Sequence, residues 1–528
     1  MFWEKPELSI VIPVFNTKPY IAECLESVLS AIKNLKAEII FVDDGSSDGS
    51  FEMLREYADE DNRIKVLQTS NKGPGGARNC GVEAAKGKYL TFVDSDDFVA
   101  EDIYERMLLV ANRDKCDMVV CDVIRKDGAK YIHSELHRKA YHNLRHREIN
   151  VTNNSDLAID CTVYNKLIRT SLYKKHNVRF PDATYCEDFP VVQWLYLASN
   201  KTVIIHKWGY CWRIRKDSIT RNYSFKYLED EIKMLAYLKE LAEKNNSGSA
   251  YLNMVDYRTL ALEFAGSFNL IKELSEDEAH KYIDLIAEFI SSTVDMSNLD
   301  MLSLYNQQKN ELIMKRDIEG LLRLFNYRKI NYMNAPVIEK EDGYEMVLPN
   351  DIFTIESRSM KNEFNNMPYW MSIDSAERKE DSLVIHTHIY IRRINMPDYD
   401  SQDVRVFLVN DLSGAEIELP VTRELRPSLT KARGTVLNYD DYRDYHYNYD
   451  GTGLSFEIKP KDFADNKEFA GHNFIMMECT NKLGHKSQIL RFGTKAALNT
   501  INDTELSTEK SKVKFSTDEI EVFWIEVK

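Results

Sequence analysis

The chain has no uninterrupted apolar stretch approaching the ~20 residues of a membrane span, so no transmembrane helix is expected. It has no Cys-x-x-Cys pair. Its eight cysteines are scattered, and the Cys116/Cys121 spacing does not match a zinc site. These thiols are expected to be reduced, buried and small, the usage of a cytoplasmic protein. The N-terminal run Met1-Phe-Trp-Glu-Lys-Pro6 has neither a basic start nor a continuous apolar core, so no signal peptide is expected. Positive charge is in deficit: 69 Lys and Arg face 84 Asp and Glu, for a net charge of −15. That argues against general nucleic-acid binding and still allows a local basic patch. There is no strong internal repeat.

What is present is an ordinary globular composition, 43% hydrophobic and 29% charged. A length of 528 residues is too great for one core, and roughly three domains are expected. Up to about residue 125, apolar strands alternate with helical segments. Leu8-Ser-Ile-Val-Ile-Pro-Val-Phe-Asn16 is followed by helical spacing through Tyr20, Ile21, Cys24, Leu25, Val28, Leu29 and Ile32. Ile39-Ile-Phe-Val-Asp-Asp-Gly-Ser-Ser-Asp48 leads into Phe51, Met53, Leu54, Tyr57 and Ala58, with Ser50 a candidate N-cap. Strand 64–68, a glycine-rich turn, helix 77–85 and strand 89–93 follow. This order predicts an α/β domain with a doubly wound, mainly parallel sheet over residues 1–222.

From 223 to 334 the spacing is helical, as in Leu228, Ile232, Leu235 and Leu238, or Leu260, Phe264, Phe268 and Ile271. This predicts a helical linker module. From 335 to 528 the pattern changes to strands separated by turns such as Leu412-Ser-Gly414 and Asp450-Gly-Thr-Gly453. An antiparallel β-sandwich fits, serving polymer binding or oligomerisation.

The chemistry gathers at strand ends, where open α/β sheets build their sites. Lys88-Tyr-Leu-Thr-Phe-Val-Asp-Ser-Asp-Asp97 runs an apolar strand into three carboxylates, Asp94, Asp96 and Asp97. Carboxylates one residue apart suit a hard divalent cation that also holds a diphosphate. Asp43-Asp44 can accept the imide N–H of a uracil ring, or simply form an Asx turn and helix cap. Asn71-Lys-Gly-Pro-Gly-Gly-Ala-Arg-Asn79 offers close backbone approach, helix-start N–H groups and the Arg78 fork for phosphate. Glu187-Asp188 opens an apolar helix; it complements the dipole or supplies a general base. Arg213, Arg215 and Ser218 form either an exposed basic loop or a lid over a diphosphate. Residues 125–148 carry seven Lys/Arg (125, 126, 130, 138, 139, 145, 147) and His133, His137, His142 and His146 against Asp127, Glu135 and Glu148. That stretch is a solvated loop or a rim for a phosphate-rich acceptor.

Taken in order, SIVIPVFN, FVDDGSSDGS, GPGGARN, GKYLTFVDSDD, YCEDFP and RIRKDSIT resemble glycosyltransferase family two, inverting enzymes with a GT-A fold. The resemblance covers roughly residues 6–222. It implies that Pro13, Val14, Asn16 and Asp44 line a uridine pocket, with Asn71, Gly76, Ala77, Arg78 and Ser95 near the donor nucleotide. It implies a DxD motif in Asp94 and Asp96 binding Mn²⁺ or Mg²⁺, chiefly through Asp96. It implies Asp188 as the base with Glu187 beside it, and Arg215 and Ser218 in the lid. The three-part layout is similar to the wall-teichoic-acid glycosyltransferases, and capsule transferases share the N-terminal motifs. The implied activity takes a sugar from UDP-GlcNAc, UDP-GalNAc or a UDP-hexose to a hydroxyl of teichoic acid, capsule or a lipid-linked glycan. Cytoplasmic location at the inner membrane face, peripheral membrane association and homo-oligomers through the C-terminal domain are further expectations.

Two rival classes are a non-catalytic carbohydrate-binding protein with a degenerate transferase domain, and a nucleotidyltransferase. The intact acidic motifs at 94–97 and 187–188 argue against the first. A Glu-Asp element like that at 187–188 is not expected in the second. His386-Thr-His388 reads as a polar sheet face rather than a metal pair, and the tyrosines at 439, 442, 445, 447 and 449 read as packing or an interface.

Overall fold

The computed structural model describes every residue except 1–4, 135, 138–139, 141–147, 153, 182–184, 216–222, 265–267, 328–330, 342, 356–358, 360–366, 368 and 438–443. The chain divides into two compact units that meet in sequence between Arg258 and Thr259.

The first unit runs β1 (Leu8–Val14), α1 (Lys18–Ala31), β2 (Ala37–Asp43), α2 (Ser50–Glu60), β3 (Ile64–Gln68), α3 (Gly73–Ala84), β4 (Tyr89–Phe92), β5 (Phe98–Val99), α4 (Ile103–Asp114), β6 (Met118–Asp127), β7 (Lys130–His133), β8 (Glu148–Ile149), β9 (Lys166–Arg169) and β10 (Thr202–Arg213). The central path is β3-β2-β1-β4-β9-β6-β10-β5. Strands β3, β2, β1 and β4 are parallel, as the alternating pattern predicts. Beyond β4 the sheet is mixed, because β9 enters antiparallel between β4 and β6. Sequence spacing could not announce this: a short antiparallel strand looks like any other apolar run.

Strands β1 and β2 are apolar almost throughout because helices cover both faces of such a sheet. Ile10, Val11, Ile12, Ile39, Ile40, Phe41 and Val42 are fully buried. Helix α1 buries Ile21, Cys24, Leu25 and Val28, the three-and-four spacing of one helical face. Each such side chain contributes about 1.5–3 kcal/mol by leaving water. Gly81 of α3 lies so close to Val11 of β1 that a Cβ there would overlap the valine side chain. Ser50 begins α2, and Gly49, with φ +85°, occupies the capping position instead.

The helices Asp188–Ala198 and Phe225–Lys244 also belong to this unit and pack together. In the second unit, Glu276–Thr293, Leu304–Lys315 and Ile318–Tyr327 are helical. The expected continuous face through Leu260, Phe264, Phe268 and Ile271 is interrupted: the helix Ser249–Ala261 stops, and Phe264 has φ +61°. Two larger antiparallel sheets and two two-stranded ones follow among the described residues. One larger sheet holds Tyr369–Arg378, Leu383–Ile391, Gly453–Ile458 and Val421–Glu424. The other larger sheet is built around Asp403–Asn410 and Gly471–Asn481.

His386 and His388 each face a carboxylate, Glu424 at 2.9 Å and Asp374 at 2.8 Å. Tyr447 and Tyr449 are buried, their hydroxyls bonded to Val337 and Arg393 backbone; Tyr439 and Tyr442 lie outside the described residues. No disulfide joins the eight cysteines, five of which are buried. Among the described residues, no helix is long and apolar enough to cross a membrane.

Candidate active site

The C-terminal ends of β1, β2 and β4 converge with the starts of α3 and of the helix Asp188–Ala198. Asn16 closes β1 in the left-handed region, φ +52°, a conformation that asparagine tolerates better than most residues. Its side-chain oxygen accepts the Ser47 amide at 2.8 Å, and its own amide donates to Ser46 Oγ at 3.0 Å. Pro13 and Val14 precede it at the end of β1.

Asp44 is buried and its carboxylate accepts from Thr69 Oγ1 (2.6 Å), the Lys72 amide (2.8 Å) and the Gly73 amide (2.7 Å). The helix-cap reading of Asp44 is therefore realised, on α3 rather than on α2. The carboxylate that leads the strand end is Asp43, whose buried Oδ1 has no hydrogen-bond partner among the described residues. Asn71, also left-handed at φ +52°, turns the chain into α3, where Gly76 and Ala77 are buried.

Arg78 departs from its expected part as a phosphate fork. It is 4% exposed, and three carboxylates hold it. Its Nη1 lies 2.7 Å from Glu187 Oε1 and 3.0 Å from Asp188 Oδ1, and its Nη2 lies 2.8 Å from Asp94 Oδ1. Two features of α3 bring these distant residues together. Asn79 exchanges hydrogen bonds with the Phe180 backbone, at 2.8 and 3.0 Å. Gly75 leaves room for the same loop: a Cβ there would sit 2.5 Å from the Pro181 carbonyl and 3.1 Å from Glu187 Cγ. Cys186, at φ +58°, then makes the bend that starts the helix at Asp188.

Burial pushes the Asp188 carboxyl up to about 8; Glu187 and Asp94 push the same way and Arg78 pulls it down. Burial also raises Asp96, with Asp94 adding and Arg215 opposing. Asp97 is raised well above the usual range by burial and by its two acidic neighbours. Tyr210 of β10 organises this cluster: its hydroxyl donates to Asp97 at 2.6 Å and accepts the Asp94 amide at 3.1 Å. The Tyr164 ring stacks on Tyr210 at 4.1 Å. Ser95 Oγ meets Thr17 Oγ1 at 2.8 Å.

Arg215 Nε lies 2.8 Å from Asp96 Oδ2, and Arg213 Nε donates to the Asp96 carbonyl at 2.8 Å. Both guanidinium groups lie over Tyr20, and Arg213 also pairs with Glu23 at 2.7 Å. Ser218 lies outside the described residues. In the basic stretch, Arg125 stacks on Trp212, Lys126 pairs with Glu23 at 3.4 Å, and Lys130 is exposed. His133 is bonded to Asp122 at 2.6 Å, and burial drives His137 down to about 4. Residues 138, 139, 142, 145, 146 and 147 lie outside the described residues.

Sequence reading assigned no role to Tyr210, Tyr164 or Lys166. Lys166 is fully buried in an ion pair with Asp160 at 2.5 Å. No short-range pattern marks Tyr164 and Tyr210, whose partners lie 46 and 113 positions away, and the six-residue spacing of Asp160 and Lys166 matches no recurrent motif.

The family model for glycosyl transferase family 2 matches residues 9–176. Putative glycosyltransferase EpsH of Bacillus subtilis (strain 168) is 31% identical over 258 residues, 48% of this chain and 74% of that protein. The chain belongs to glycosyltransferase family 2. This membership makes it a glycosyltransferase. The poly(ribitol-phosphate) beta-N-acetylglucosaminyltransferase TarS of Staphylococcus aureus is 22% identical over 346 residues, 62% of this chain and 58% of that one. The crystal structure of S. aureus TarS matches 99% of this chain and 85% of its own, with TM-score 0.51 and 15% identity. TarS 1–349 in complex with UDP-GlcNAc matches 65% of this chain and 97% of its own, with TM-score 0.52 and 18% identity. At such identity the likeness speaks to fold: a GT-A-like mixed sheet followed by a C-terminal antiparallel region.

Proposed function

We propose that the chain moves a sugar from a UDP-sugar (UDP-GlcNAc, UDP-GalNAc or a UDP-hexose) to a hydroxyl of a cell-surface polymer such as teichoic acid or capsule. The observation that carries this reading is the gathering of Asp94, Glu187 and Asp188 around Arg78 in a family 2 glycosyltransferase. The TarS fold, known with UDP-GlcNAc bound, supports the donor class, and the poly(ribitol-phosphate) enzymes supply the acceptor class.

In this reading Asp188 accepts the proton of the acceptor hydroxyl. The freed oxygen attacks the anomeric carbon from the face opposite UDP, and the bond to the phosphate oxygen breaks. An α-linked donor then gives a β-linked product. Arg78 holds Asp188 in place and favours its ionised form. The ends of β1 and β2, at Pro13, Val14, Asn16 and Asp44, and the turn at Asn71, Gly76 and Ala77 receive the nucleotide.

Asp94 and Asp96 are hard oxygen donors of the kind Mn²⁺ or Mg²⁺ takes. Burial raises the Asp96 carboxyl and the nearby Asp94 carboxylate adds to it, so two acidic side chains lie close together. The residues present therefore fit a divalent cation, held chiefly by Asp96. Such a cation supplies charge neutralisation at the departing diphosphate. Arg213, Arg215 and Ser218 form the lid.

Residues 1–222 then do the chemistry, 223–334 link, and 335–528 bind polymer or assemble copies at the cytoplasmic membrane face. The test is UDP release from a panel of UDP-sugars with Mn²⁺ or Mg²⁺ and purified poly(ribitol phosphate). One donor should turn over, and Asp96→Ala and Asp188→Asn should each lower kcat by at least about 100-fold. No turnover with any donor would overturn the reading.

A further inference from the structure

The opposite edge of the same sheet carries a second site. Residues just before β1, β2, β3 and β4, with the end of β9 and the helix after it, line an open cleft of about 1560 Å³. Eight of the lining side chains are Lys or Arg and two are Glu. This concentration stands out in a chain whose net charge is −15. Lys5, Lys36, Lys86 and Lys88 are exposed along it. Glu38 pairs with Lys65 at 2.5 Å and accepts the Lys86 amide at 2.7 Å, while Arg63 pairs with Asp61 at 2.6 Å and Arg169 with Asp117 at 3.3 Å, so the excess charge rests on the exposed lysines. The cleft therefore presents a surplus of cations to solvent.

We propose that this cleft binds an anionic phosphodiester–polyol chain, remote from the catalytic carboxylates. Strand β1 has seven residues, so the cleft and the Asn16 end of the sheet are about 20 Å apart. Three features select the occupant. The concave shape suits a strand of polymer, whereas a flat lipid surface would touch only its rim. No aromatic side chain lines it, so it has no platform on which nucleobases would stack. Asn62, Thr170 and Ser171 add amide and hydroxyl groups that match polyol hydroxyls. The acidic remainder of the molecule repels a polyanion and leaves the cleft as its place of attachment.

The polymer identity rests on the acceptor class proposed above. A chain held here stays near the enzyme between transfers, which raises the local concentration of acceptor hydroxyls.

The test is fluorescence anisotropy of labelled poly(ribitol phosphate) with the full chain at low salt, with no donor present. Lys36→Gln/Lys86→Gln/Lys88→Gln should raise Kd at least tenfold and make binding less salt-dependent. UDP release with a single-repeat acceptor should stay within twofold of wild type. Asp188→Asn should bind the polymer as wild type does, so binding is read independently of turnover. A Kd unchanged in the triple variant, or no binding by wild type, overturns the cleft proposal and leaves the transferase reading standing on its own assay. A triple variant that loses binding to phosphatidylglycerol vesicles or single-stranded DNA while keeping polymer affinity also overturns it.

Discussion

Arg78 Nη1 lies 3.0 Å from Asp188 Oδ1, joining the middle of one helix to the start of another 110 residues later. Asp188 is nonetheless raised to about 8, because burial outweighs the arginine. As a base it must be ionised, so kcat/KM should rise through pH 7–9 with an apparent pKa near 8. Stability should move the other way. A carboxyl whose pKa is higher folded than unfolded adds stability that is full below its unfolded pKa, about 4. That stability is lost as pH climbs through 8. Thermal melts from pH 5 to 9 should show Tm falling in wild type and falling less in Asp188→Asn. A flat kcat/KM profile would count against Asp188 as the base.

Removing the arginine should cost more than removing any one of its partners. Arg78→Met strands three carboxylates around an apolar side chain, and the expected loss is about 3 kcal/mol or more of folding stability. Denaturant unfolding measures it. Arg78→Lys keeps a charge but not the planar fork, so it should recover part of the stability and leave the pH profile shifted upward.

Tyr210→Phe removes one hydroxyl that serves both Asp97 and Asp94. Asp97 is 1% exposed, so its oxygen loses a partner that water cannot replace. The expected destabilisation is about 1–3 kcal/mol. Because Asp94 also loses the contact that fixes its backbone, the Mn²⁺ concentration for half-maximal activity should rise about tenfold or more. Unchanged metal dependence would place Tyr210 in packing alone.

Asp44 shapes the glycine-rich turn through two backbone amides and Thr69. Asp44→Ala should cost about 1–2 kcal/mol, as loss of a helix cap does, and should raise the donor KM. Asp44→Asn keeps one acceptor oxygen and should restore most of the stability. If the donor KM stays high in Asp44→Asn although stability returns, the carboxylate contacts the nucleotide itself.

The parallel half of the sheet was legible because β1, β2 and β4 are apolar runs too short for buried helices and end in polar turns. The acidic motifs were legible because Asp94, Asp96 and Asp97 closely follow β4 and the 187–188 pair opens an apolar helix. The antiparallel insertion of β9 was not, since pairing direction leaves no mark on a four-residue strand. The interrupted helix at Phe264 was missed because side-chain spacing continues across a backbone turn that it cannot report.

By itself the sequence determined the alternating β and α elements, the strand-end carboxylates and the change to antiparallel strands after the helical stretch. These follow from hydrophobic period and local turn chemistry, which act over a few residues. Only the tertiary structure decided what Arg78 does, since its three partners lie 16, 109 and 110 positions away. It also decided that Asp44 holds a turn, that Tyr210 ties Asp94 to Asp97, and that scattered basic residues before four strands form one cleft. Such groupings arise when a sheet aligns its strand ends, and charge, burial and reach then act through space rather than along the chain.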